Sequence, residues 1–384
     1  MKIILLLLAL SSQTFSQNTH IEMTQQACQD GHCYSSPAIS KNGDIYYIDT
    51  FNGIGAEHGT TLMTFNNDVP TSLIINQNEL ISHVKIDSHN KPMVKIGDSL
   101  LRYPNYPINS PIFHSNTGRP ANTLDWTGDV SFKAYYTSVG TCEGNTTVSN
   151  KIVSSSSHNH IEGSITVHNF SLGHILADSC TATPEAFTSS DFIKVSDNDK
   201  FKIYSIFIGN PPNVNSRMYL RQDDQNDLII ADNVILADVN DQGLAVWTVN
   251  INDLFFVYQQ NMNNLNQPPV LLDTVVVPAG FTTNITAISI NNSGDIAYLV
   301  RNYQFSTQTF SFQLKFKPFS SLNIQNLLAT GDTINGKNIS KIRWNHDGLN
   351  DTAVMVSSVR YTDGTESIVK SLTRQPQSIG FEVG

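Results

Sequence analysis

Ile290-Asn291-Asn292-Ser293-Gly294-Asp295-Ile296-Ala297-Tyr298 places an apolar residue, a polar turn and a glycine ahead of a short apolar strand. The same order recurs in Val239-Asn240-Asp241-Gln242-Gly243-Leu244-Ala245-Val246-Trp247 and in Ile39-Ser40-Lys41-Asn42-Gly43-Asp44-Ile45-Tyr46-Tyr47. Leu124-Asp125-Trp126-Thr127-Gly128-Asp129-Val130-Ser131-Phe132 joins them, and residues 345–356, with Gly348, read as a fifth, less regular copy. Glycine takes a positive φ at no steric cost, and Asn and Asp tolerate it best among the others. Each copy therefore reads as strand, tight turn, strand. The turn residues are Asn42, Gly43, Gly128, Asn240, Gly243, Asn291, Gly294 and Gly348.

Strand signals dominate the rest of the chain. Residues 45–48 and 201–208 are short runs of β-branched and aromatic residues, and Phe310-Ser311-Phe312-Gln313-Leu314-Lys315-Phe316 alternates apolar with polar, as a half-buried strand does. Asp253 to Leu265 is the nearest approach to a helical pattern, and it is weak. Gly243, Gly294 and Gly348 lie 51 and 54 residues apart, and the longer gaps hold degenerate copies at Ser88–Lys91 and Val195–Lys200. A repeat of roughly 40 to 50 residues is that of a propeller blade. The expected fold is all-β: one β-propeller-like repeat domain over residues 17–384, with seven or eight blades.

The later copies carry a resemblance. Asn291 to Tyr298 and Asn240 to Val246, with Thr330-Gly331-Asp332 further on, resemble bacterial secreted tandem-repeat proteins whose units bear an Asn-x-x-Gly-x-x-Ala-Phe motif. The resemblance covers residues 225 to 372 and implies a secreted, propeller-like fold. It brings no catalytic residue with it.

Met1-Lys2 followed by Ile3–Leu10 has the shape of a secretory signal peptide, expected over residues 1–16. The expected location is secreted or periplasmic, without membrane insertion. Four cysteines after such a leader point to disulfides, and Cys28, Cys33, Cys142 and Cys180 are the candidates. Pairing in sequence order is expected, among three possible connectivities. The formal net charge of −10 argues against nucleic acid, whose binding depends on basic patches. The chain is expected to be a monomer.

No nucleophile elbow, zinc-protease helix or phosphate loop occurs. Asp238 to Gly243 begins like a calcium loop, but Val249 stands where the last acidic ligand belongs, and the hairpin reading is preferred. His158, His160, His168 and His174 cluster, as do Asp223, Asp224 and Asp227, and both read better as solvated loops than as metal sites. His32 has no nucleophile beside it. No cofactor is expected, calcium being the one weighed. Trp126, Trp247 and Trp344 are expected in the core rather than as sugar platforms. The function expected first is a non-enzymatic binding protein for a protein, peptide or glycan. The alternative is an extracellular hydrolase or lyase acting on a polysaccharide or peptide at the propeller channel. That alternative requires acidic or histidine residues from several blades to converge on a concave pocket. A passive matrix component would show no such pocket.

Overall fold

The computed structural model describes residues 19–373, apart from 28–33, 53–57, 77–80, 87–89, 97–98, 103–112, 115–123, 127–132, 142–147, 163–164, 172–174, 179–186, 199, 209–214 and 223–227. Between residues 95 and 191 it describes strand backbone alone. The cysteines, residues 1–16, His32, His174, Gly128 and the three aspartates at 223, 224 and 227 lie outside the described residues. So do the side chains of Trp126, His158, His160 and His168.

The chain is all-β, and the strands form antiparallel sheets in chain order. Six of them cover residues 34–76, 81–114, 124–178, 187–232, 234–276 and 281–329, and are called the first to sixth sheets here. The seventh combines residues 333–372 with Thr19–Ala27, so the two ends of the described chain share one sheet. Asp253–Leu265 is not helical: Leu254–Asn261 is a strand. The turn before it, Asn252-Asp253, has φ of 52° and 62°, the mirror-image hairpin geometry that Asn and Asp tolerate.

Sheets pack face to face. One apolar cluster, including Phe201, Met218 and Trp247, fills the space between the fourth and fifth sheets. Another, with Phe316, Trp344 and Tyr361, joins the sixth to the seventh. A third, with Tyr34, Tyr47 and Ile368, joins the seventh to the first. Trp247 and Trp344 are thus core residues, 1% and 6% exposed. The strand Thr309–Lys317 follows its sequence alternation, with Phe312, Leu314 and Phe316 turned inward.

The amino-terminal strand is fastened by Glu22, whose carboxylate accepts from Tyr361 Oη at 2.9 Å, Asn335 Nδ2 at 2.7 Å and Ser367 Oγ. Glu366 is fully buried and accepts from both terminal guanidinium nitrogens of Arg343 at 2.9 Å. It also accepts the Tyr34 N–H at 3.1 Å, which ties the seventh sheet to the first. Burial opposes its charge, but the Arg343 hydrogen bonds and charge outweigh burial and hold the carboxyl below its ordinary value.

Candidate active site

The turns at Gly43, Gly243 and Gly294 each join the first strand of a sheet to its second, and the sequence explains their shape. Gly43, Gly243 and Gly294 have φ of 92°, 78° and 81°. In each turn their N–H donates to the carbonyl three residues earlier, that of Ser40, Asn240 or Asn291, at 2.9 to 3.0 Å. The asparagine side chain then works in two directions. Asn240 Oδ1 accepts the N–H groups of Gln242 and Leu244 within its own turn, while its Nδ2 donates to the Asn291 carbonyl of the next sheet at 2.8 Å. Asn291 Nδ2 donates to the Asn350 carbonyl at 2.7 Å, and Asn350 Nδ2 to the Ser40 carbonyl at 3.1 Å. These asparagines are at most 5% exposed, so their full pairing matters.

That series corrects one sequence assignment. Gly348 does not occupy the turn: it lies in a short 3-10 turn, His346–Gly348. A Cβ there would overlap the Trp344 indole nitrogen, so glycine serves close packing rather than a positive φ. The seventh-sheet turn is Asn350–Ala353, with Ala353 at φ 60° in the glycine's place. In the first sheet Ser40 stands in the asparagine position, its Oγ accepting the Asp44 N–H at 3.0 Å, and Asn42 lies inside the same turn.

A second line of bonds runs beside the first. Asn198 N–H donates to Asp241 at 2.8 Å, Asp241 N–H to Asn292 at 3.0 Å, and Asn292 N–H to Asp351 at 2.8 Å. Lys41 donates its N–H to Asn90 at 3.0 Å, and its ammonium lies 3.8 Å from Asp351 and 4.0 Å from Asp197. The turns of six sheets thereby surround one pocket of about 120 Å³. It is lined by five aspartates (197, 238, 241, 347 and 351) against two lysines (41 and 85), a formal charge of −3 with His346 neutral. Asp238, the first position of the calcium-like run, has its carboxylate on the Ile290 N–H at 2.9 Å. Among the described residues no group of three or more His, Cys, Asp and Glu side chains is placed to hold a metal ion.

His346 is the residue that the sequence reading passed over. The 3-10 turn carries it to the pocket wall, where Nε2 lies 2.9 Å from Lys194 Nζ and 3.1 Å from Asp347 Oδ2. Lys194 belongs to the fourth sheet, 152 residues away. An ammonium only donates and a carboxylate only accepts, so Lys194 bonds Nε2 when that nitrogen is unprotonated and Asp347 bonds it when it carries a proton. When Nε2 takes up a proton, Asp347 is beside it to receive the new N–H. One imidazole nitrogen thus stands between a proton donor and a proton acceptor.

No family model matches the chain, and no curated protein matches it. Among solved structures it is similar to an acylaminoacyl peptidase of Pyrococcus horikoshii, at 9% identity and a TM-score of 0.47, over 87% of this chain and 52% of that one. It is also similar to the isopeptidase AtxE2, at 7% identity and a TM-score of 0.35, over 86% of this chain and 56% of that one. The chain thus spans about half the length of each. The expectation of a non-enzymatic binding protein is corrected at this point. Aspartates and a histidine from several sheets converge on one pocket, which is the feature that separates the hydrolase alternative from a binding module.

Proposed function

We propose that the chain is a hydrolase built on a closed seven-bladed β-propeller, with its active site in the axial pocket where the turns meet. The observation that carries this reading is the position of His346 between Lys194 and Asp347 on the pocket wall. Histidine is the side chain whose ordinary titration lies near neutral pH, and general acid–base catalysis asks for such a group in a concave site. In this reading water displaces the Lys194 ammonium from Nε2, His346 takes the water's proton as it attacks the carbonyl, Asp347 stabilises the imidazolium that forms, and the imidazolium returns the proton to the departing amine. Lys194 orients the ring before the reaction. Closure of the propeller is supported by the shared seventh sheet and by the His346–Lys194 contact, which joins the seventh sheet to the fourth.

The formal charge of −3 around the pocket favours a substrate with a cationic group, and we infer a peptide entering with a free amine. The amino-terminal segment, read as a signal peptide, would place the enzyme outside the cytoplasm. The test is to incubate the purified chain with matched peptides bearing free or acetylated amino termini and to follow cleavage by mass spectrometry. Faster cleavage of the free-amine set is expected. Equal cleavage of both sets removes the role given to the pocket's charge, and cleavage of neither removes the peptide reading.

A further inference from the structure

A second cavity lies away from the axial pocket, in the groove between the sixth and seventh sheets, with a volume of about 830 Å³. Three half-buried cations line it, Arg301 from the sixth sheet and Lys341 and Arg360 from the seventh, and no carboxylate does. Lys341 and Arg360 are directly opposite each other on paired strands. Like charges in that relation destabilise a sheet. Among the described residues none of the three forms an ion pair. The carboxylate nearest in electrostatic terms, Glu366, is held at both oxygens by Arg343. Burial, and then the neighbouring Arg343, Arg360 and Arg301 charges, push the Lys341 ammonium below its ordinary value against the opposing pull of Glu366. An uncompensated cluster of this kind costs stability, and a bound anion would offset the cost.

The groove also offers an aromatic face. Phe310 is 49% exposed, with the Arg301 guanidinium 5.6 Å from its ring centre and Tyr303 4.9 Å away, and Phe305 beyond it is 59% exposed. Main-chain groups at the groove are already used: Thr330 N–H donates to the Phe312 carbonyl at 2.9 Å and Gly331 N–H to the Ile339 carbonyl at 2.8 Å. An extended peptide would find no ladder to join there, so recognition falls to side chains. Cations spaced along a groove beside an exposed ring suit a chain of sugar rings that each carry a carboxylate. We propose that this groove binds an acidic glycan, a uronate oligosaccharide, independently of the axial pocket.

The experiment is calorimetric titration of the full chain with a galacturonate hexamer, its neutral galactose counterpart and hexaglutamate, at low and at moderate salt. The uronate should bind, the neutral sugar should not, and affinity should fall as salt rises. Arg301→Gln and Lys341→Gln should each weaken uronate binding at least tenfold, while the melting temperature holds or rises because a like charge has been removed. Should either variant unfold, Phe310→Ala at the exposed ring replaces it, with weakened binding again expected. No uronate binding, or unchanged affinity in the folded variants, overturns the proposal. So does hexaglutamate binding as tightly as the uronate, which would make the groove a reader of acidic peptide.

Discussion

The sixth and seventh sheets use the same turn chemistry to different ends. In the sixth, one unbroken stretch of chain supplies every strand, and Asn291–Gly294 closes the turn with glycine at φ 81°. In the seventh, strands come from both ends of the described chain. The turn Asn350–Ala353 follows an extra 3-10 turn that takes His346 to the pocket. Asn291 and Asn350 make equivalent bonds to the next turn. The regular turn therefore holds the scaffold, and the departure from it carries His346 to the pocket wall.

The sharpest way to break the seventh sheet alone is Glu366→Ala. It leaves Arg343, with 17% of its side chain exposed, and the Tyr34 N–H without their buried partner. A loss of about 3 kcal/mol in denaturant unfolding is expected. The pH dependence has a definite sign. Glu366 and Glu22 both have folded pKa values below their ordinary ones: burial opposes the charge in each, and hydrogen bonds from Arg343, and from Ser367, Asn335 and Tyr361, outweigh it. Their contribution is complete above the unfolded value and is lost as pH falls through the folded one. Acid unfolding should therefore begin below about pH 4.5, the ordinary glutamate value, and Glu366→Gln should flatten the slope there.

Asn291→Ala tests whether the sixth-sheet turn is scaffold. It removes the acceptor of the buried Asp295 N–H and one of the two donors to the Asn350 carbonyl, and should cost about 2 kcal/mol. The smallest effects come from the residue closing each turn. Gly43→Ala meets nothing within 4 Å, so its cost, about 1 kcal/mol, is that of positive φ alone. Ala353→Gly should run the other way, with a gain below about 1 kcal/mol in the same unfolding assay.

What the sequence made legible was local. Asn240–Gly243 and Asn291–Gly294 announce their turns because one asparagine and one glycine three positions apart suffice to build them. The same rule misplaced the seventh-sheet turn, since alanine seldom adopts a positive φ and nearby Gly348 drew the register to itself. Lys194 and His346 could not be paired from sequence, because the contact is made by the arrangement of sheets across 152 residues of chain. The groove between the sixth and seventh sheets was hidden for a similar reason: Arg301 and Arg360 meet only when two sheets pack.

The central claim rests on His346, and the direct measurement is the peptide cleavage rate of wild type against His346→Gln, each with its melting temperature. The account predicts a loss of at least about a hundredfold at nearly unchanged stability, the range a general base supplies. A variant that stays folded and cleaves at the wild-type rate would contradict it.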